Sequence, residues 1–253
     1  MRRTLLAATA AIALCLSSGS ALAKDSGLYG GVVIGSQIGT ERNVDTIGTT
    51  AFNTLVPNIA PRQLKPKVEG VTYGGVLGLN FSSDGALVWG VEADVIGGGD
   101  FKSASFSGAP IPGLAPAGIT TSATKEYSLR GSLRGRLGTS LTDEIFVYGT
   151  GGLAFAQVET KASVVANGAP TVAWNGANEE TLTGWTLGAG AEFQINDGII
   201  LRSEYLYTDL GDSTVTAAGN STVRGIAALN GIDYVARTDY RGGEVRLGLL
   251  FAF

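Results

Sequence analysis

Eleven charged residues, Glu92, Asp94, Glu126, Arg130, Arg134, Arg136, Glu192, Arg202, Glu204, Glu244 and Arg246, occupy positions in register with one face of apolar, glycine-rich segments. Six are acids and five are bases, so two chemistries are open if they share one enclosed face. Paired carboxylates could serve as general acid and base, or acids and arginines could neutralise one another as ion pairs. Composition removes most other chemistry. No histidine occurs in the 253 residues, which excludes Ser-His-Asp catalysis, the usual metal-ligand sets and histidine-ligated haem. Gly149-Thr-Gly-Gly152 has neither the spacing nor the following Lys-Ser/Thr of a phosphate loop and reads as glycine within a strand. No cofactor or metal site is expected, and an enzyme is the least favoured class.

The positioning elements follow from alternation with period two, the signature of a strand with one greasy face. Val71, Tyr73, Leu77, Leu79 and Phe81 oppose Thr72, Gly74, Gly78 and Asn80; Leu87, Trp89, Val91, Ala93 and Val95 oppose Glu92 and Asp94. Tyr127, Leu129, Leu133 and Leu137 oppose Glu126, Ser128, Arg130, Ser132, Arg134 and Arg136. Residues 28–38, 183–195, 199–210 and 240–253 behave likewise, while 145–158 is ambiguous because Phe146 and Tyr148 fall on the inner side. About eight strands result. The chain ends on Val245, Leu247, Leu249, Phe251 and Phe253 at every second position, a terminal strand whose apolar face calls for a membrane.

Residues 1–23 carry Arg2 and Arg3, an apolar run from Leu5 to Leu16 and a small-x-small end at Ala21-Leu22-Ala23, which reads as a cleaved signal peptide. The one cysteine, Cys15, would leave with it, so no disulfide or thiolate site is expected. Loss of Arg2 and Arg3 leaves 16 basic against 22 acidic residues, a net charge near −6 that argues against nucleic acid. Residues 24–253 suit one domain. Beyond the signal no apolar run approaches the roughly 18–20 residues of a membrane helix. A membrane crossing must then use a closed antiparallel barrel, which leaves no backbone group unpaired in lipid.

Connections alternate in length. Residues 82–85, 139–144 and 196–198 are short turns; 40–67, 98–123, 159–182 and 211–239 are long and read as extracellular loops. Counting outward from the turn at Asn196-Asp197-Gly198 sets Glu192 opposite Arg202 and Gly190 opposite Glu204, which agrees with the inner faces assigned from phase.

The stretch Gly184-Trp-Thr-Leu-Gly-Ala-Gly-Ala-Glu-Phe, the turn, and Leu201-Arg-Ser-Glu-Tyr-Leu-Tyr-Thr-Asp-Leu-Gly211 resemble the penultimate hairpin of the OmpA-like outer-membrane β-barrel family. Arg130 to Gly138 and Val147 to Phe155 add to a likeness with its alphaproteobacterial group of small, porin-like surface antigens. That resemblance implies an all-β, eight-stranded up-and-down barrel in a Gram-negative outer membrane. It also implies assembly machinery that reads the terminal strand, here Val245, Leu247, Leu249, Phe251 and Phe253.

Eight strands enclose a space that side chains roughly fill. The eleven charged residues are accordingly expected to plug the lumen as an ion-pair network, in a structural barrel supporting envelope integrity and surface interaction. A narrow porin for small solutes and a receptor or adhesin acting through the long loops are the alternatives. Expected partners are outer-membrane lipid and lipopolysaccharide, whose phosphates Lys65 and Lys67 could meet, and the barrel-assembly machinery; any surface ligand is unidentified.

Overall fold

The computed structural model describes residues 27–38, 44–47, 49–55, 57, 59–65, 70–83, 87–98, 102–113 and 115–253. The expected signal peptide and Lys67 lie outside them. Period-two alternation gives strands almost throughout: β1 (Gly27–Ile38), β2 (Val44–Ile47), α1 (Thr49–Leu55), β3 (Gln63–Leu64), β4 (Val71–Ser83), β5 (Leu87–Gly98), β6 (Lys102–Ser107), β7 (Ile119–Ser140), β8 (Ile145–Ala166), β9 (Ala173–Asn196), β10 (Ile199–Gly219), α2 (Ser221–Gly225) and β11 (Tyr234–Ala252). Among the described residues, eight strands form an antiparallel ring in the order β1-β4-β5-β7-β8-β9-β10-β11. Pairing of β11 with β1, from Tyr29 opposite Ala252 to Ile38 opposite Gly243, closes it. No described helix is long and apolar enough to cross a membrane.

The ring carries an apolar outer band. Leu129, Leu133 and Leu137 on β7, Leu153 and Phe155 on β8, and Trp185, Leu187, Phe193 and Ile195 on β9 are all exposed. On each strand the band runs about as far as the 9–11 residues that a tilted strand needs to cross a bilayer. Aromatic residues mark its rims: Phe81 stacks on Trp89 at 4.4 Å near the short turns, and Trp185 lies 5.7 Å from Tyr207 at the far end.

The long connections are largely strand, not loop. β8 and β9 have 22 and 24 residues, about twice what the bilayer requires. Above the band the polarity of the wall inverts. Thr120, Ser122 and Thr124 on β7, Glu159, Lys161 and Ser163 on β8, and Asn175, Glu179 and Thr181 on β9 turn outward. Inside, Phe52, Ile119, Val164, Trp174, Val215, Tyr234 and their neighbours form one buried apolar cluster. A wall standing in water favours this arrangement for the reason that a wall in lipid favours its opposite. β6 on β7, β2 on β11 and β3 on β2 widen this upper tier. Phe52 of α1 packs edge-on to Trp174 at 4.9 Å and to Tyr234 at 5.8 Å.

Two irregularities reconcile the tiers. One extra residue in β7 shifts register between Tyr127 and Leu129, and one in β10 does so between Asp209 and Asp212, where Gly211 has φ +80°. Such a bulge exchanges the faces of everything beyond it. In β7 the inward residues are Arg130, Ser132, Arg134 and Arg136 below the bulge, and Thr121, Ala123 and Lys125 above it. The expectation that Glu126 lies in the lumen is corrected: it sits on the outer side, opposite Glu159. Tyr127 is corrected in the reverse sense, meeting inward-facing Tyr240 at 5.3 Å.

Candidate functional site

The ladders bring the remaining ten charged residues into the lower lumen. Glu92 and Asp94 come from β5, the arginines 130, 134 and 136 from β7, Glu192 from β9, Arg202 and Glu204 from β10, and Glu244 and Arg246 from β11. The β9–β10 ladder places Glu192 opposite Arg202 and Gly190 opposite Glu204. Next to the turn it pairs Ile199 with Asn196 and then Ile200 with Gln194, so Ile195 is passed over without altering that register.

Arg202 is the centre of the cluster. Its Nε and Nη2 donate to Glu192 Oε1 at 2.9 and 2.7 Å, and its Nη1 donates to Glu92 Oε2 at 2.6 Å. Arg136 reaches the same Glu192 at 2.9 Å and donates to the Tyr29 hydroxyl at 2.7 Å. Tyr29 in turn donates to Glu92 at 2.6 Å. Arg134 bonds Glu92 closely, Asp94 at 3.1 Å and Glu204 at 3.0 Å. Arg246 continues upward to Asp94 at 3.3 Å and Glu244 at 3.1 Å, and Arg130 meets Glu244 at 3.5 Å. Among the described residues, five carboxylates and five guanidinium groups thus form one connected chain across the lumen. Only Arg130 is more than a tenth exposed, with 15% of its side chain accessible.

This arrangement suits neutralisation better than proton transfer. Every one of the five carboxylates contacts at least one arginine, so guanidinium groups stand where a substrate would have to approach. Buried charge is costly unless paired, and the connected chain gives every carboxylate and every guanidinium group at least one partner of opposite charge. Sequence phase placed these ten residues on one side and set Thr72, Ser132 and Tyr148 there as well, without assigning these neutral groups to the network. The Tyr148 hydroxyl donates to Glu204 at 2.9 Å while its ring lies 4.1 Å from the Arg136 guanidinium carbon. Ser132 donates to Asp94 at 2.6 Å, and Thr72 bonds Glu244. All three lie at inward phases, so alternation was the available signal.

Glycine makes room for this packing. A Cβ on Gly190 would lie 2.5 Å from the Tyr148 hydroxyl oxygen, and one on Gly78 would strike the Tyr29 ring. A cavity of about 60 Å³ opens beside the Arg130–Glu244–Arg246 end of the charged chain and is bordered also by Lys125, Thr186 and Tyr240.

Of the expected assembly residues, Val245, Leu247, Leu249 and Phe251 lie along β11, and Phe253 follows its last residue. Leu247, Leu249 and Phe251 are exposed on the outer face and Val245 is partly so; the Phe253 amide donates to Leu28 O at 2.9 Å. Lys65 is exposed just beyond β3. Among the described residues no group of three or more acidic, histidine or cysteine side chains is arranged to hold a metal.

The family model described as outer membrane protein β-barrel domain matches residues 8–253. The chain is 36% identical over 156 residues to the 31 kDa outer-membrane immunogenic protein of Brucella melitensis, a match covering 60% of each chain. It is 28% identical over 156 residues, again 60% of each chain, to a 22 kDa outer membrane protein of Rhizobium leguminosarum. The chain therefore spans about 60% of the length of these relatives. Among solved structures, the outer membrane protein OprG of Pseudomonas aeruginosa aligns with a TM-score of 0.50 over 92% of this chain and 99% of its own, at 12% identity, a likeness of fold alone.

Proposed function

The chain belongs to the outer membrane protein β-barrel family and resides in the outer membrane of a Gram-negative bacterium; from that premise we propose a structural, non-conducting role in which the barrel supports envelope integrity and its upper tier presents a surface for interaction. The observation that carries this reading is the connected ion-pair chain through Arg202, Arg134 and Arg246. A solute entering the lumen would have to part buried pairs, and stripping one partner from such a pair costs about 3–5 kcal/mol. The apolar core around Trp174 is a second barrier of opposite chemistry on the same path.

The surface half of the proposal rests on the distal ends of the hairpins. Residues 103–124 and 162–178 contain no charged side chain, and Asn167 ties the two together through its amide to Gly118 O at 2.8 Å. The description of the Brucella relative as immunogenic is consistent with display at that end. Liposome swelling with protein purified from outer membranes tests the proposal: small sugars should enter no faster than into protein-free liposomes. Swelling that scales with protein content and falls with solute size would favour a narrow porin.

A further inference from the structure

The outer wall immediately above the lipid band has a composition that selects among the parts of a glycolipid headgroup. On β8 and β9, Leu153, Phe155, Trp185 and Leu187 face lipid, and the next outward residues are Gln157, Thr183 and Thr181. Then comes a row of three carboxylates, in which Glu126 faces Glu159 and Glu159 faces Glu179 across β7, β8 and β9. A shallow groove runs along this level, lined by Ser128, Gln157, Glu159, Glu179 and Thr181.

Phosphate would find little to bind here. Among the described residues of the β7–β11 wall the outward bases are already taken: Lys161 by Glu159 at 2.7 Å, Arg237 by Asp212 at 2.8 Å and Arg241 by Asp239 at 2.8 Å. Surplus carboxylates repel a phosphate, but they accept charge-assisted hydrogen bonds from hydroxyl groups. The amide of Gln157 and the hydroxyls of Ser128, Thr181 and Thr183 can both donate and accept, as sugar hydroxyls do. Gln157 of this groove is the next outward residue after lipid-facing Phe155 on β8, so the headgroups of the lipids packed against that wall stand beside it.

We propose that the β7–β9 wall directly above the lipid band is a lateral docking surface for the uncharged sugars of membrane-anchored outer-leaflet glycolipids, held by hydrogen bonds rather than through their phosphates. The proposal rests on the membrane placement of the barrel and not on its lumen being closed. It concerns a surface separate from the lipopolysaccharide contact expected at Lys65 and Lys67, and of the opposite chemistry.

Nitroxide labels on single cysteines at Thr181 or Thr183, in a Cys15→Ser background, test it through their access to a water-soluble nickel chelate. Labels at Leu187 and Thr171 serve as the lipid-facing and distal references, and heat-modifiable gel mobility selects variants that have folded. Access at Thr181 and Thr183 should fall several-fold in vesicles containing lipopolysaccharide with its core sugars, compared with vesicles of phospholipid or of lipid A. A further Gln157→Leu/Glu159→Leu change should restore access to the Thr183 label. Equal access in all three membranes would overturn the proposal. So would the same loss with lipid A, which would point to phosphate, or with free core oligosaccharide added to phospholipid vesicles, which would indicate a soluble-sugar site. Protection that survives the double leucine change would reduce the effect to crowding and also overturn it.

Discussion

Replacing Arg202 by Met removes the centre of the lumen chain while nearly conserving volume, so the change isolates charge from cavity formation. Three charge-assisted bonds are lost: two to Glu192, at 2.9 and 2.7 Å, and one to Glu92 at 2.6 Å. Neither carboxylate is left entirely alone. Glu192 keeps Arg136 at 2.9 Å, and Glu92 keeps Arg134 and the Tyr29 hydroxyl. The loss should therefore fall at the lower end of the range for a broken buried pair, about 3 kcal/mol. Adding Glu192→Gln removes the surplus negative charge, so the double variant should be more stable than the two single losses predict, with a coupling of about 1–3 kcal/mol. Urea titration in phospholipid vesicles, followed by the fluorescence of lipid-facing Trp89 and Trp185, measures all four corners of the cycle. A single-variant loss below about 1 kcal/mol, or additivity within about 0.5 kcal/mol, would refute the view that the network acts as a unit.

Gly190→Ala should cost about 1–3 kcal/mol by forcing the Tyr148 hydroxyl away from Glu204, whereas Gly149→Ala, whose Cβ would meet nothing closer than 4.0 Å, should be close to neutral in the same titration. Trp174→Ala should melt the upper tier by about 3–5 kcal/mol while the membrane ring persists, seen as new protease cuts confined to the extracellular strands. Above the membrane, partial burial, the hydrogen bond shared with Glu159 and the charges of Glu159 and Glu179 push the Glu126 carboxyl above its ordinary range. The folded state then holds that proton to higher pH than the unfolded chain, and the associated stability is lost as pH rises through the folded value. The advantage of Glu126→Gln over the wild type should accordingly be larger at about pH 7 than at about pH 4 in thermal melts. Deletion of Phe253 should lower the amount of barrel assembled in cells more than it lowers stability after refolding in vitro; equal effects in the two measurements would remove its role as an assembly signal.

The lower tier was legible because lipid outside and charge inside give alternation its full amplitude, as in Leu133-Arg134-Gly135-Arg136-Leu137. Above the band the amplitude falls. On β8, Ala162, Val164 and Ala166 point in and Lys161, Ser163 and Val165 point out, a contrast too weak to distinguish from a Ser- and Thr-rich loop. The Ser128 bulge lies in Glu-Tyr-Ser-Leu-Arg with no glycine or proline to mark it, so Glu126 and Tyr127 were carried to the wrong faces by an unbroken phase. The β10 bulge, by contrast, carries its signal in Gly211, whose positive φ suits glycine. What alternation could not supply was pairing at long range. Tyr29 lies 63 positions from Glu92, and only the β1–β4 and β4–β5 ladders, which set Tyr29 beside Gly78 and Gly78 beside Glu92, bring the two within 2.6 Å.

The closed lumen is tested most directly by single-channel recording in planar bilayers, using protein purified from outer membranes and confirmed as folded by its heat-modifiable mobility. The ion-pair chain and the apolar upper core predict a current that stays at the baseline of the protein-free membrane. Stable unitary conductance steps from the folded wild type, abolished by heat denaturation before insertion, would contradict that claim.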